Sequence, residues 1–137
     1  MNIVGLITEY NPFHNGHLYH IQEAQRVTKA NAIVVIMSGN FVQRGAPAIM
    51  PKHLRAKSAL LSGADLVLEL PVCFATGSAE FFAMGAVALL DSLGCIDSIC
   101  FGSECGDSKT LGKIARILAE EPDLSLIHIS EPTRLDV

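Results

Sequence analysis

Residues 31–37 read Asn31-Ala-Ile-Val-Val-Ile-Met37, an unbroken apolar run rich in β-branched side chains. A strand with one wet face alternates apolar and polar residues. A strand that does not alternate is covered on both faces, as in a parallel sheet flanked by helices. On either side of it, Asn2–Ile7 and Leu66–Leu70 read as similar short strands, and Ser98–Phe101 as a fourth. Helical patterns lie between and after them, over Gly16–Lys29, Pro51–Ser62, Ser78–Leu93 and 108–121. Pro51 suits a first turn, while Gly63 and Gly94 suit helix ends. This alternation predicts an α/β domain, a parallel sheet with helices on both faces. Ligands of such sheets sit beyond the carboxyl ends of the strands, which singles out the loops at 8–15, 38–50, 71–77 and 102–107. The long 38–50 connection is of the kind that more often carries function than fills space.

Composition agrees with one packed domain. Of 137 residues half are hydrophobic and 18% charged, and mean hydropathy is +0.37, which excludes a disordered or polyelectrolyte chain. The longest apolar run, Phe81–Leu90, is broken by Gly85 and flanked by Glu80 and Asp91, well short of the ~18 residues a membrane span needs. No basic-then-apolar leader follows Met1, so the expectation is a cytoplasmic protein without membrane attachment. The net charge of −4 excludes a dedicated nucleic-acid coat and confines any nucleic-acid contact to a local patch. Cys73, Cys95, Cys100 and Cys105 fit no common zinc spacing and read as reduced, buried small hydrophobes.

The loop after the first strand carries the chemistry: Thr8-Glu-Tyr-Asn-Pro-Phe-His14-Asn-Gly16-His17. Two histidines three apart flank a glycine where a strand turns into a helix. They would share one face of the first helical turn, where backbone N–H groups and the helix dipole favour an anion. Imidazoles there can donate to phosphoryl oxygens as charge develops, which suits nucleotidyl transfer from ATP. Gly16 would let a ligand approach closely. Two other readings stand beside this one. The pair could cap the helix structurally, or it could bind a metal with His20, although histidines in steps of three precess around a helix and converge poorly.

His14-Asn-Gly-His17 is similar to the His-x-Gly-His signature of the nucleotidylyltransferase superfamily, related to class I aminoacyl-tRNA synthetases. The resemblance lengthens through Glu9-Tyr-Asn-Pro-Phe-His-Asn-Gly-His-Leu-Tyr-His20, Met37-Ser-Gly-Asn-Phe-Val-Gln-Arg-Gly45, Pro47-Ala-Ile, Asp65-Leu-Val-Leu-Glu-Leu-Pro71, Ser78-Ala-Glu-Phe-Phe82 and Phe101-Gly-Ser-Glu104. Together these resemble bacterial tRNA(Met) cytidine acetate ligases, from Met1 to about Asp123. The resemblance implies a Rossmann-like fold of the nucleotidylyltransferase type. It also implies a cytoplasmic enzyme that uses ATP, with Mg²⁺, to activate acetate as acetyl-adenylate and acetylates N4 of the wobble cytidine of elongator tRNA(Met). It places the ATP-binding segment on Ile7, Thr8, Glu9, Tyr10, Asn11, Pro12, Phe13, His14, Asn15, Gly16, His17, Leu18, Tyr19 and His20, with a further contact at Gly102. His14 and His17 would be catalytic, stabilising the α-phosphate and the departing pyrophosphate. No residue is assigned to a protein-held metal. The family's remaining ATP contacts, an asparagine and an arginine pair, and much of its tRNA surface lie downstream of these residues, so this chain is expected to bind ATP without acetylating tRNA. The alternatives are a small-molecule adenylyltransferase of the pantetheine-phosphate or nicotinate-nucleotide type, and a non-catalytic nucleotide-binding domain.

Other residues have two readings each. Arg44 could pair with a phosphate or acetate, or be a solvated loop residue. Lys52, His53, Arg55 and Lys57 form a basic cluster suited to an RNA backbone or to a wet helix face. Glu69, in an apolar strand, needs a partner: it could bond a ligand or Arg44, or fill a structural hydrogen-bonded role at the rim, where Pro71 ends the strand. Ser103 and Glu104 could meet adenine or ribose, or form a turn with Asp107 capping the next helix. Phe81, Phe82 and Met84 are assigned to the core. From Leu124 the text changes: Leu124-Ser-Leu-Ile-His-Ile-Ser-Glu-Pro-Thr-Arg134 resembles the in-frame translation of a transposon-type sequencing-library adapter. The expectation is a nucleotidyltransferase-like domain over 1–123 and a non-native tail over 124–137, the alternative being a native strand at Leu124–Ile129.

Overall fold

A computed structural model describes residues 1–102 and 107–120. The chain forms two compact units, Met1–Phe101 and a second beginning at Gly102. The first unit contains strands β1 (Ile3–Thr8), β2 (Ala32–Ser38), β3 (Leu66–Leu70) and β4 (Ser98–Ile99). Its helices are α1 (Asn15–Thr28), α2 (Lys52–Leu61), the short α3 (Val72–Ala75) and α4 (Ala79–Ser92). In the second unit α5 runs over Ser108–Glu120. Asp107 caps it, accepting from the Lys109 N–H at 3.0 Å and the Thr110 hydroxyl at 2.6 Å. The assignments made to Ser103, Glu104, Cys105 and residues 121–137 lie outside the described residues.

All four strands are parallel, in the order β3-β2-β1-β4. This is the α/β architecture expected from residues 31–37, and β2 is its buried centre. Its side chains alternate between two cores, as a period of two demands. Ile33, Val35 and Met37 meet Ile21 and Ala24 of α1 and Ala59 of α2. Val34 and Ile36 meet Phe82, Ala86 and Leu90 of α4 on the other face. Right-handed crossovers explain the split. The chain steps from β1 to β2 to β3 with α1 and α2 on one face, then returns past β1 to β4 with α4 on the other. The sheet order therefore reverses between β1 and β4, the place where open α/β sheets bind ligands. Gly5 of β1 allows the close approach of α4, since a Cβ there would lie 2.9 Å from both methyls of Leu90.

Several expectations need correction. The 71–77 connection holds α3, because Pro71 both ends β3 and starts a helical turn. β4 is shorter than the expected Ser98–Phe101: it has two residues, Ser98 and Ile99, which pair with Val4 and Gly5 of β1. Cys73 and Cys95 are exposed and Cys100 half-buried, all three as free thiols. Phe82 is in the core, whereas Phe81 and Met84 lie on the outer side of α4 at 41% and 53% exposure.

Candidate functional site

His14 ends the loop after β1 as the N-cap of α1, with extended backbone, rather than lying within the first turn. Its Nδ1 accepts the Gly16 N–H at 3.0 Å, and the Nδ1 of His17 accepts the His14 N–H at 3.2 Å. Together these form a capping box built of two imidazoles, in place of the usual Ser or Thr paired with Glu or Gln. The geometry fixes the tautomers. A nitrogen that accepts an N–H carries no proton, so each neutral ring has its hydrogen on Nε2 and keeps that as its free donor. The rings stack with centroids 3.8 Å apart. The capping reading and the ligand reading are thus compatible, with Nδ1 serving the cap and Nε2 left for a ligand. Gly16 has a local cause as well: a Cβ there would lie 2.9 Å from Cε1 of His14.

Aromatic packing holds the pair. Tyr10, buried and at φ +49°, meets the His17 ring edge-on at 4.8 Å and Phe13 at 4.7 Å, and Phe13 lies 5.6 Å from His17. Burial, together with the neighbouring His14 and His20, pushes the His17 pKa down to about 4. His17 is accordingly a neutral donor at physiological pH. His20, one turn on, gives its Nε2–H to the Cys100 carbonyl at 3.1 Å, just past β4. Burial lowers its pKa, partly offset by that bond. Its role here is to tie α1 to the strand end. Burial raises the Tyr10 pKa, and among the described residues its hydroxyl meets no hydrogen-bond partner.

The 38–50 loop closes over the same end of the sheet. Phe41 pairs with Pro47, the Val42 N–H reaches the Ala46 carbonyl at 2.8 Å, and Ala48 N–H the Asn40 carbonyl at 2.8 Å. Two residues of the histidine loop hold it. Glu9 Oε2 accepts the Gln43 N–H at 2.9 Å, and Asn11 Oδ1 accepts the Ile49 N–H at 2.8 Å. Arg44 stands at the tip, exposed, at φ 67°.

The basic cluster divides. Arg55 is 1% exposed and hydrogen-bonds backbone carbonyls beneath the loops, which removes it from any RNA-facing surface. Lys52 pairs with Glu69 at 2.8 Å and supplies the carboxylate with a structural partner in place of Arg44. His53 and Lys57 are exposed. The sequence did carry one sign of Arg55's role, since it stands four residues before Ala59 on the apolar stripe of α2.

Ile7, Thr8, Glu9, Tyr10, Asn11, Phe13, His14, Gly16, His17 and His20 are thus brought to the end of β1 and the start of α1. Pro12, Asn15 and Tyr19 lie exposed on that segment and Leu18 half-buried, while Gly102 begins the second unit. Among the described residues no group of three His, Cys, Asp or Glu gathers to hold a metal ion, and no helix is long and apolar enough to cross a membrane.

Known proteins share this arrangement. The family model described as HIGH Nucleotidyl Transferase matches residues 1–133. A tRNA(Met) cytidine acetate ligase from Acetivibrio thermocellus is 59% identical over 123 residues, covering 90% of this chain and 30% of that protein. One from Caldanaerobacter subterraneus subsp. tengcongensis is 62% identical over 122 residues, covering 89% and 30% respectively. The crystal structure of Thermotoga maritima TmcAL bound with alpha-thio ATP superposes with a TM-score of 0.85 at 52% identity, over 90% of this chain and 30% of that one. The chain therefore spans about a third of the length of these relatives. By its sheet order, its two-histidine turn and this match over nearly its whole length, the chain belongs to the HIGH nucleotidyltransferase family.

Proposed function

We propose that this domain binds ATP at the carboxyl end of β1, with His14 and His17 donating from Nε2 to oxygens of the α-phosphate and the departing pyrophosphate. The observation that carries this is the reciprocal cap. It spends both Nδ1 atoms on backbone N–H groups and leaves two Nε2 donors side by side at the switch point of the sheet. The ATP analogue bound to the Thermotoga maritima protein supports the choice of ligand. Glu9 and Asn11, which hold the 38–50 loop over the same end of the sheet, would set that loop beside the nucleotide. Mg²⁺ would arrive on the triphosphate, since no donor trio gathers for it among the described residues.

In the longer enzyme the names of the relatives support acetate and tRNA(Met) as the other substrates. A carboxylate oxygen of acetate attacks the α-phosphorus, the bond to the bridging oxygen breaks and pyrophosphate leaves. N4 of the wobble cytidine then attacks the acetyl carbon, AMP leaves and the amine proton passes to solvent. The imidazoles serve the first step by positioning and charge stabilisation. This chemistry belongs in the cytoplasm, with the tRNA. Residues 1–123 carry the function and 124–137 take no part in it. The 137-residue chain alone binds ATP and does not acetylate tRNA.

Calorimetric titration with ATP tests the binding. A saturable isotherm is expected, weakened at least about tenfold in His17→Ala, the loss of a charge-assisted hydrogen bond. Absence of ATP binding overturns the reading. Acetate-dependent ATP–pyrophosphate exchange in a longer protein carrying this domain supports the ligase; dependence on a phosphorylated acceptor instead points to a small-molecule adenylyltransferase.

A further inference from the structure

We infer that Arg55 is a positioning residue for the histidine pair: its guanidinium fixes the Glu9–Tyr10 peptide, through which His17 is held in place. The inference rests on the reading of His14 and His17 as nucleotide-binding groups. Arg55 lies on α2, away from that loop in sequence, and is among the largest fully buried side chains of the first unit. Its Nε donates to the Met50 carbonyl at 3.0 Å, and its Nη1 to those of Glu9 at 2.6 Å and Ser38 at 3.2 Å; Nη2 donates to Gly39. These acceptors lie at the end of β2, just past β1, and at the far end of the 38–50 loop. One planar cation therefore joins three segments that meet at the site.

A buried cation usually has a carboxylate in contact with it. Among the described residues no carboxylate lies within ion-pair distance of Arg55, and Glu9 and Glu69 act on it only through space. Backbone carbonyls do the compensating, which suits a guanidinium, whose donors spread in a fixed fork, and not an ammonium, whose donors radiate from one atom. The consequence runs toward His17. Tyr10, the residue after the anchored carbonyl, sits at φ +49°, a conformation that a residue with a side chain holds only where its surroundings impose it. The Tyr10 ring in turn meets the His17 ring edge-on, with ring centroids 4.8 Å apart. From Arg55 to His17 the path is one peptide and one aromatic ring.

The test uses the full chain, with Arg55→Lys as the main variant and Leu90→Ala as a control for lost stability in the opposite core. At about pH 7.5, where His17 is neutral, nitrogen-15 spectra of the histidine rings and ATP titration are recorded for each. Arg55→Lys is expected to move the His17 signals and weaken ATP binding about tenfold. Leu90→Ala is expected to lower the melting temperature with both readouts unchanged. Wild-type His17 signals in Arg55→Lys overturn the proposal, as does an equal displacement in Leu90→Ala. Should Arg55→Lys fail to fold, Tyr10→Leu removes the ring from the path and must move the same signals, and unmoved signals there also overturn it. If the wild-type chain binds no ATP, the nucleotide reading fails, while the His17 signals still decide the role of Arg55.

Discussion

His14 and His17 share one helix cap: His14 accepts the Gly16 N–H at Nδ1, His17 accepts the His14 N–H at Nδ1, and the rings stack 3.8 Å apart. One interaction therefore ends the loop, starts the helix and fixes the tautomers of both candidate catalytic groups. Its two duties can be separated by substitution.

His14→Ser keeps an N-cap acceptor and removes the Nε2 donor. Ser is among the preferred N-cap residues, so the melting temperature of this variant should stay near that of the wild type while ATP binding weakens. His14→Ala removes both functions and should also lose about 1 kcal/mol of stability. Equal ATP affinity in His14→Ser and wild type, measured by calorimetry, would show that His14 only caps.

Acid should act through His17. Its folded pKa, about 4, lies below the ordinary value of 6.5, so between those two values the unfolded chain takes up a proton that the folded chain refuses. Stability from this residue is complete above about pH 6.5, declines as pH falls, and is lost once pH passes below about 4. His20 acts in the same direction. Denaturant midpoints measured across this range should fall with pH, and less steeply in His17→Asn; an unchanged slope in that variant contradicts the assignment.

Gly39 and Glu69 should be coupled. A Cβ at position 39 would collide with the Glu69 carboxylate, which pairs with Lys52 at 2.8 Å. The pair is substantially exposed, so breaking it costs under about 1 kcal/mol. Gly39→Ala should therefore destabilise the chain modestly, and less when Glu69 is already Ala. A double-mutant cycle with no coupling energy would show that the loop moves instead of the carboxylate.

Much of this was legible in the sequence. The run at 31–37 shows a doubly covered strand because burial on both faces leaves a continuous apolar text, and the His-x-Gly-His turn is local, so its site is compact in the chain. Arg55 was obscured by its neighbours: Lys52, His53 and Lys57 make the stretch read as a charged face, and only the fold shows one of the four turned inward. The cap was legible only as a rival to the ligand reading. Residue spacing does not say which ring nitrogen is used, and only the hydrogen bonds at Nδ1 show that the two readings hold together.

Residues 124–137 should be dispensable. Removing them should leave both the melting temperature and the ATP isotherm of the chain unchanged. A clear drop in either would make Leu124–Ile129 part of the native domain.

Histidine ring nitrogen-15 spectroscopy with and without ATP puts the paired-donor geometry to the sharpest test. Nδ1 of both His14 and His17, as acceptors of backbone N–H groups, should be unprotonated, with the proton on Nε2, and ATP should shift the Nε2–H signals of both. A proton on Nδ1 of either ring, or Nε2 signals indifferent to bound ATP, would contradict the paired-donor site.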